Sequence, residues 1–264
     1  MQAKDANQRC RVFAFLERYE FLITLYRQFH PARDPLDAET LTVQLQSKEI
    51  SVQDAITALE THSSALESAV DLKDVMSEFT KASGYYGWHL LRYFMFEYEQ
   101  HLKSLSKAKR AKLTWEEFSR ESYEDDYSTV EHIFPQNAVD PSWKAEFKAY
   151  TSRQRNTLRN SMGNLIPLSK PKNSALRNVS FQEKRSTPDK TIGYAYGCYS
   201  ENEVAQENKW GAREILLRGV KLLTFMESRW QVSFGSATAK VKILGLEFVL
   251  SKEPDLSLVL HKRR

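Results

Sequence analysis

Within Tyr127-Ser-Thr-Val-Glu-His-Ile-Phe-Pro-Gln-Asn137, a carboxylate and an imidazole stand side by side as Glu131 and His132. Two amides follow: Asn164 in Gly163-Asn-Leu-Ile-Pro-Leu168, and Asn173 in Ser169-Lys-Pro-Lys-Asn173. Together these side chains can hold one divalent metal against a phosphodiester and activate a water beside it. A phosphodiester resists hydrolysis because its charge repels nucleophiles and its alkoxide leaves poorly. A catalyst therefore needs a base for the water and a cation for the leaving oxygen. His132 suits the first task, since imidazole titrates near neutral pH. Glu131 suits the second, because hard cations prefer carboxylate oxygen. Asn173 can give an amide oxygen to the same metal from a helix start, with Ser169 as N-cap and Pro171 in the first turn. That helix start also favours a nearby phosphate. Two protein ligands leave coordination sites for water and phosphate oxygens, the manner of Mg²⁺, with Mn²⁺ the alternative. Asn164 reads as a residue whose hydrogen bonds across the loop hold His132.

A short β-type run must deliver Glu131 and His132, then stop at Pro135. A long loop, a second strand at Gly163–Leu168 and a short helix follow. Neighbouring strand residues point to opposite faces, so the first strand is expected to end or bend at the pair. Ser180-Phe-Gln-Glu183 has capping-box spacing and leads into Lys184 and Arg185. These two cations serve either as a phosphate clamp or as ordinary surface residues.

Elsewhere the periodicity is mostly helical. Residues 5–30 carry Val12, Phe15, Leu16, Tyr19, Leu22, Ile23 and Tyr26 at helical spacing, and Pro31 and Pro35 end the run. Ser51 with Asp54 opens another helix, and a further stretch covers about 64–80. Gly84 and Gly87 break the chain before an apolar helix at Trp88–Leu102, whose aromatic stripe reads as core. Residues 103–112 read as a basic linker or exposed loop. Thr114–Glu117 and Ser200–Glu203 have capping-box spacing, and a long helix runs from about Trp210 to Arg229. Trp230–Phe234 and Ala239–Val249 alternate like strands. The expected organisation is a helical region at 1–112, a catalytic domain at 113–232 and a β-type extension at 233–264, mainly α and α+β overall.

The net charge of +4 conceals an uneven distribution. Residues 114–143 carry eight Asp/Glu against Arg120 alone, whereas residues 144–190 carry eleven Lys/Arg against three acidic residues. A stretch this basic beside a metal-binding carboxylate suits a polyanionic substrate. Arg153, Arg155, Arg159, Lys170, Lys172, Arg177 and Arg185 are the candidate backbone contacts, taken as a group. With 41% hydrophobic residues the chain can bury a substantial core. Its mean hydropathy is −0.55, and no apolar run is long enough to span a bilayer. Two cysteines, Cys10 and Cys198, exclude a disulfide framework and a four-cysteine zinc site and leave a reduced cytoplasmic protein as the default. Cys198 reads as a buried small residue. His30, His62, His89, His101 and His261 lack neighbours that would make them catalytic.

Val130-Glu-His-Ile-Phe-Pro-Gln136 resembles the corresponding segment of the HNH (ββα-metal) endonucleases, as found in RNA-guided CRISPR nucleases. The resemblance implies metal binding by Glu131 and Asn173, general-base catalysis by His132, and a middle Asn at Asn164. A longer series is similar to the C-terminal nuclease domain of GmrSD-type restriction proteins. It comprises Glu131-His132-Ile133, Gly163-Asn164-Leu165, Asn173 and Leu176, Phe181 and Lys184, Trp210, Ile215 and Arg218, within residues 85–232. Those proteins usually carry an upstream nucleotide-hydrolysing domain marked by Asp-Gly-Gln-Gln-Arg, which is not found in these residues. The chain thus reads as a C-terminal fragment or shortened relative, and nucleotide hydrolysis is not assigned to it. Glu replaces the Asp or His of many HNH enzymes but is usual in this branch.

The expectation is a metal-dependent DNA endonuclease of bacterial anti-phage restriction, cutting or nicking DNA to 5′-phosphate and 3′-hydroxyl ends. Modified phage DNA would be sensed by an upstream sensor domain or partner subunit. Two alternatives stay open: a nucleic-acid-binding or regulatory module that no longer cuts, and an RNA nuclease.

Overall fold

The computed structural model describes residues 6–30, 37–69, 71–81, 84–108, 110–119, 127–187 and 192–262. Pro31 and Pro35, read as helix stops, lie outside these residues, as do Arg120 and the terminal Arg263-Arg264. The chain divides into two compact units, Met1–Glu78 and Phe79–Arg264.

The first unit holds α1 (Ala6–Arg27), α2 (Ala38–Ser47), α3 (Val52–Ala69) and the start of α4 (Leu72–Lys81). α1 packs on α3, with Tyr19 edge-on to His62 and an ion pair from Arg18 to Glu67. The Ser51–Asp54 signal is real. The Ser51 N–H donates to the Asp54 carboxylate at 2.9 Å, and the Asp54 N–H donates back to Ser51 Oγ at 3.1 Å. The stretch expected at 64–80 is two helices. Asp71 accepts from the Lys73 N–H at 2.8 Å and starts α4 afresh.

In the second unit a short 3₁₀ turn, Tyr85–Gly87, precedes α5 (Leu91–Leu105) and α6 (Trp115–Ser119). The aromatic stripe of α5 is core. Phe94 stacks on Trp230 at 5.9 Å between centroids and meets Phe225 edge-on at 5.6 Å. Strands β1 (Thr129–His132) and β2 (Leu165–Leu168) form one antiparallel ribbon, in register from Thr129 opposite Leu168 to His132 opposite Leu165.

The expected long loop between them contains α7 (Pro141–Glu146) and α8 (Ser152–Arg159). α8 has one buried apolar residue, Leu158, so hydrophobic periodicity is silent there. Its start is marked only by a capping box between Thr151 and Gln154. Asp140 caps α7 by accepting from the Ser142 N–H at 2.8 Å.

After β2 come α9 (Lys170–Leu176), α10 (Phe181–Arg185), α11 (Tyr199–Ala205) and α12 (Ala212–Trp230). Ser180 and Glu183 form the expected capping box. The second expected box, Ser200–Glu203, is displaced. α11 starts earlier, the Glu201 carboxylate accepts from the Cys198 N–H at 2.9 Å, and Ser200 bonds to the buried Glu99.

The β-type extension expected at 233–264 is helical: α13 (Ala237–Ile243), α14 (Glu247–Lys252) and α15 (Asp255–Lys262). Alternation over a few residues fits either period, and local caps decide the matter. Ser236 accepts from the Ala239 N–H, and Gly245, at φ 65°, breaks α13 from α14. Lys240, one of the alternating polar residues, turns back to Glu227 at 2.7 Å. Trp230 closes α12 rather than opening a strand. Among the described residues no helix is long and apolar enough to cross a membrane.

α12 fixes the ribbon through its close approach to the turn Met162–Asn164. A Cβ on Gly163 would fall 2.0 Å from the Ile215 carbonyl oxygen and 2.7 Å from the Gly219 nitrogen. Only glycine permits that approach. Across the same contact the buried Arg218 guanidinium donates to the Gly163 oxygen at 2.9 Å and the Leu165 oxygen at 2.7 Å.

Candidate active site

β1 ends at His132, as expected of a strand that stops at the pair, and the neighbours Glu131 and His132 point to opposite faces of its last step. Each face carries its own cluster.

On one face, His132 is 4% exposed. Its Nε2 lies 3.3 Å from Asn160 Oδ1 at the end of α8. With the amide oxygen as acceptor, Nε2 carries the proton and Nδ1 keeps its lone pair. Tyr86, from the turn before α5, covers the ring at 4.5 Å between centroids and is itself 46% exposed. Gly84 makes this turn possible. Its φ is 81°, and a Cβ there would fall 2.3 Å from Asn160 Cβ. The Tyr85 N–H donates to the Asn160 backbone carbonyl at 2.9 Å. Burial lowers the His132 pKa to about 4, opposed by the Asn160 hydrogen bond and aided by the charges of Lys184 and Arg159. The imidazole is therefore neutral at neutral pH.

On the other face, Glu131 Oε1 receives Lys184 Nζ at 2.5 Å, and the same ammonium donates to the His132 carbonyl oxygen at 3.1 Å. Burial pushes the Glu131 carboxyl up and the Lys184 ammonium down, and each opposes the other's shift by its charge. Thr129 shares this face at the i−2 position. Its hydroxyl donates to the Leu168 oxygen at 2.6 Å and accepts from Asn173 Nδ2 at 3.1 Å. That relay holds the Asn173 amide through one N–H, and its oxygen makes no hydrogen bond among the described residues. The Tyr194 hydroxyl is buried with no hydrogen-bond partner among the described residues, and burial, then the Glu131 charge, raises its pKa.

Asn164 lies in neither cluster. It is wholly buried, and every polar capacity of its amide is used. Its oxygen accepts from the Phe134 N–H at 2.8 Å and Trp210 Nε1 at 3.0 Å. Its nitrogen donates to the Phe134 oxygen at 3.0 Å and the Arg159 oxygen at 2.9 Å. It binds the chain leaving His132 to the end of α8 and to the segment before α12.

The basic residues separate by environment. Lys172 is paired with the buried Glu201 at 2.6 Å and also donates to the Gly193 oxygen. Lys184 has no exposure and is not positioned as a surface clamp. Arg185 donates through Nε to the Ala205 oxygen at 2.8 Å. Arg153, Lys170 and Arg177 are exposed. Arg155 and Arg159 line one cleft with Lys144. Sequence reasoning missed Asn160, Tyr86, Thr129 and Tyr194. The bracketing Gly84 and Gly87 were the available signal for Tyr86.

The donors suit a hard divalent cation. Glu131 offers carboxylate oxygen, and Asn173, tied through its nitrogen to Thr129 on the same face of β1, offers an amide oxygen. No group of three or more His, Cys, Asp or Glu occurs among the described residues, so a closed cage of the zinc type is not built there. An ion that keeps most of its water needs fewer protein ligands.

The family model described as GmrSD restriction endonucleases, C-terminal domain, matches residues 70–225. Neither a curated protein nor a solved structure matches the chain.

Proposed function

The chain belongs to the GmrSD restriction endonuclease C-terminal domain family, and we propose that it hydrolyses DNA phosphodiesters by an HNH-type, metal-dependent mechanism centred on β1. The observation that carries this reading is the placement of His132: a buried imidazole whose Nε2 lies 3.3 Å from Asn160 Oδ1 and whose pKa burial lowers, which favours a neutral ring with Nδ1 as acceptor. Such a ring takes a proton from a water attacking phosphorus. Asn160 and Tyr86 hold its plane, and Asn164 holds the backbone that follows. Glu131 and Asn173 would hold a divalent ion, Mg²⁺ or Mn²⁺. When bound, the ion supplies positive charge for the leaving oxygen. Lys184 keeps the Glu131 carboxylate ionised and aimed. The basic stretch at 144–190 supports a polyanionic substrate, and the family supports restriction of foreign DNA as the setting. Recognition of modified DNA belongs, on this reading, to a sensor domain or partner subunit.

The test is cleavage of supercoiled plasmid by wild type and His132→Ala with Mg²⁺, Mn²⁺ or EDTA, with structured RNA in parallel. Metal-dependent relaxation lost in the variant supports the proposal. Plasmid binding with no cleavage under any metal would replace it with a non-cleaving binding module. RNA cleavage alone would make the chain a ribonuclease.

A further inference from the structure

Tyr86 sits in the turn Gly84-Tyr-Tyr-Gly87, whose flanks are anchored in the core. Tyr85 is buried, stacks on Phe79 at 5.0 Å between centroids, and donates its hydroxyl to the Ile243 oxygen at 3.3 Å. Trp88, also buried, packs on Phe94. Tyr86, between these two, turns the other way. Its ring meets that of His132 at 4.5 Å between centroids, tilted by 42°, and 46% of the residue stays open to solvent. Its hydroxyl makes no hydrogen bond among the described residues.

A single exposed aromatic residue is ordinary in itself. Its distance from the candidate general base gives it a task. A water that His132 deprotonates lies within ~2.6–3.2 Å of the ring nitrogen. The same water lies ~3–3.5 Å from the phosphorus it attacks. The phosphorus therefore comes within roughly 6–7 Å of that nitrogen. The Tyr86 ring already touches the imidazole, and the deoxyribose units bonded through oxygen to the phosphorus are as large as the remaining gap. A strand placed for attack at His132 thus brings a sugar against the open part of Tyr86. The ring offers apolar surface to the C–H bonds of the sugar, and the hydroxyl offers a donor to a phosphate oxygen. Neither contact reads the base. Because the turn is held from both sides, little freedom is lost when the strand arrives.

We propose that Tyr86 is a substrate-contacting residue, packing on the deoxyribose beside the scissile phosphate while its hydroxyl donates to a phosphate oxygen of the same strand. This rests on the endonuclease reading with His132 as base, and it adds the contact that sets the phosphodiester in register with the imidazole. The contact is uncharged and independent of sequence.

The experiment uses the full chain as wild type, Tyr86→Phe and Tyr86→Ser. Affinity for a short DNA duplex is followed by fluorescence anisotropy in EDTA at several salt concentrations, with plasmid cleavage in Mg²⁺ or Mn²⁺ measured in parallel. Tyr86→Phe loses one neutral hydrogen bond and should bind about 3-fold more weakly. Tyr86→Ser loses the ring as well and should bind about 10- to 30-fold more weakly. The salt dependence of binding should keep its slope in both, since no cation is lost. Tyr86→Phe keeps the ring against His132, so its loss is a test by itself if Tyr86→Ser does not fold. A residue that merely props His132 would slow cleavage when replaced and leave metal-free affinity unchanged. That result overturns the proposal and leaves the nuclease reading standing. A shallower salt slope would trace the weakening to displaced cations and overturns it too. Weakened binding at an unchanged slope, in a chain that cuts no plasmid under any metal, keeps the strand contact and removes the nuclease. Failure of wild type to bind DNA at all overturns both.

Discussion

Lys184 Nζ stands 2.5 Å from Glu131 Oε1, and the lysine side chain has no exposure to solvent. Two charges buried in this way stabilise each other, and removing one strands the other. Lys184→Met is expected to destabilise the fold by about 3–5 kcal/mol. Adding Glu131→Gln should restore much of that loss, which urea unfolding of the two single variants and the double variant will show. Additive losses would mean that the two groups do not act as a pair. Mg²⁺ should raise the unfolding midpoint of Lys184→Met, because an ion bound only by the folded state stabilises it.

Gly163 and Ile215 define the closest backbone approach that positions the site. In Gly163→Ala the new methyl meets a helix carbonyl, which no rotamer change can relieve. A loss of at least ~1–3 kcal/mol, the usual cost of overpacking, is expected in chemical denaturation. A stability within error of wild type would show that α12 can shift freely.

Arg218 donates to two backbone oxygens at the start of β2 and lies 3.4 Å from Glu203. Arg218→Leu leaves buried acceptors unpaired and should cost about 3–5 kcal/mol. Protection of the β1–β2 amides against hydrogen exchange should fall further than protection in α1. Uniform loss across both compact units would contradict a local role.

His132 should titrate near pH 4 rather than near 6.5. A histidine whose folded pKa is depressed binds fewer protons folded than unfolded. Its contribution to stability is full above pH 6.5 and is lost as pH falls toward 4. The integrated effect is about 3 kcal/mol at most. NMR of the ring through pH 3.5–8 measures the midpoint directly. Tyr86→Ala uncovers the imidazole and should move the midpoint upward. A wild-type midpoint at or above 6.5 would contradict the neutral, buried state.

The legible parts of this fold are those where chemistry and periodicity coincide. β1, β2 and α9 emerged from Glu131, Asn164 and Asn173 because polar functional residues interrupt short apolar runs. α12 emerged from Ile215, Leu216, Leu223 and Met226 at helical spacing. α8 did not, since seven of its eight residues are polar or charged and one leucine carries no period. Hence the link between Asn160 and His132 was invisible as well. The C-terminal helices were hidden by brief alternation, which Ser236 and Gly245 override through capping and a positive φ. The fate of the basic residues was equally opaque. Lys172 and Arg155 read alike along the chain, yet one is committed to Glu201 and the other lines an open cleft. Charge in a sequence does not disclose its partner.

The ribbon is only four residues long on each side, and what secures it arrives late in the chain. Glu131 and His132 leave the ribosome well before Arg218, which fastens the start of β2, and before Gly219, which lets α12 settle there. Synthesis runs from the N-terminus, and distant contacts wait for their second partner. A nascent chain carrying Glu131 and His132 therefore does not yet hold them in the folded ribbon. On the proposed nuclease reading, competence to cut comes only with nearly the whole domain, since Arg218 and Gly219 lie near its end.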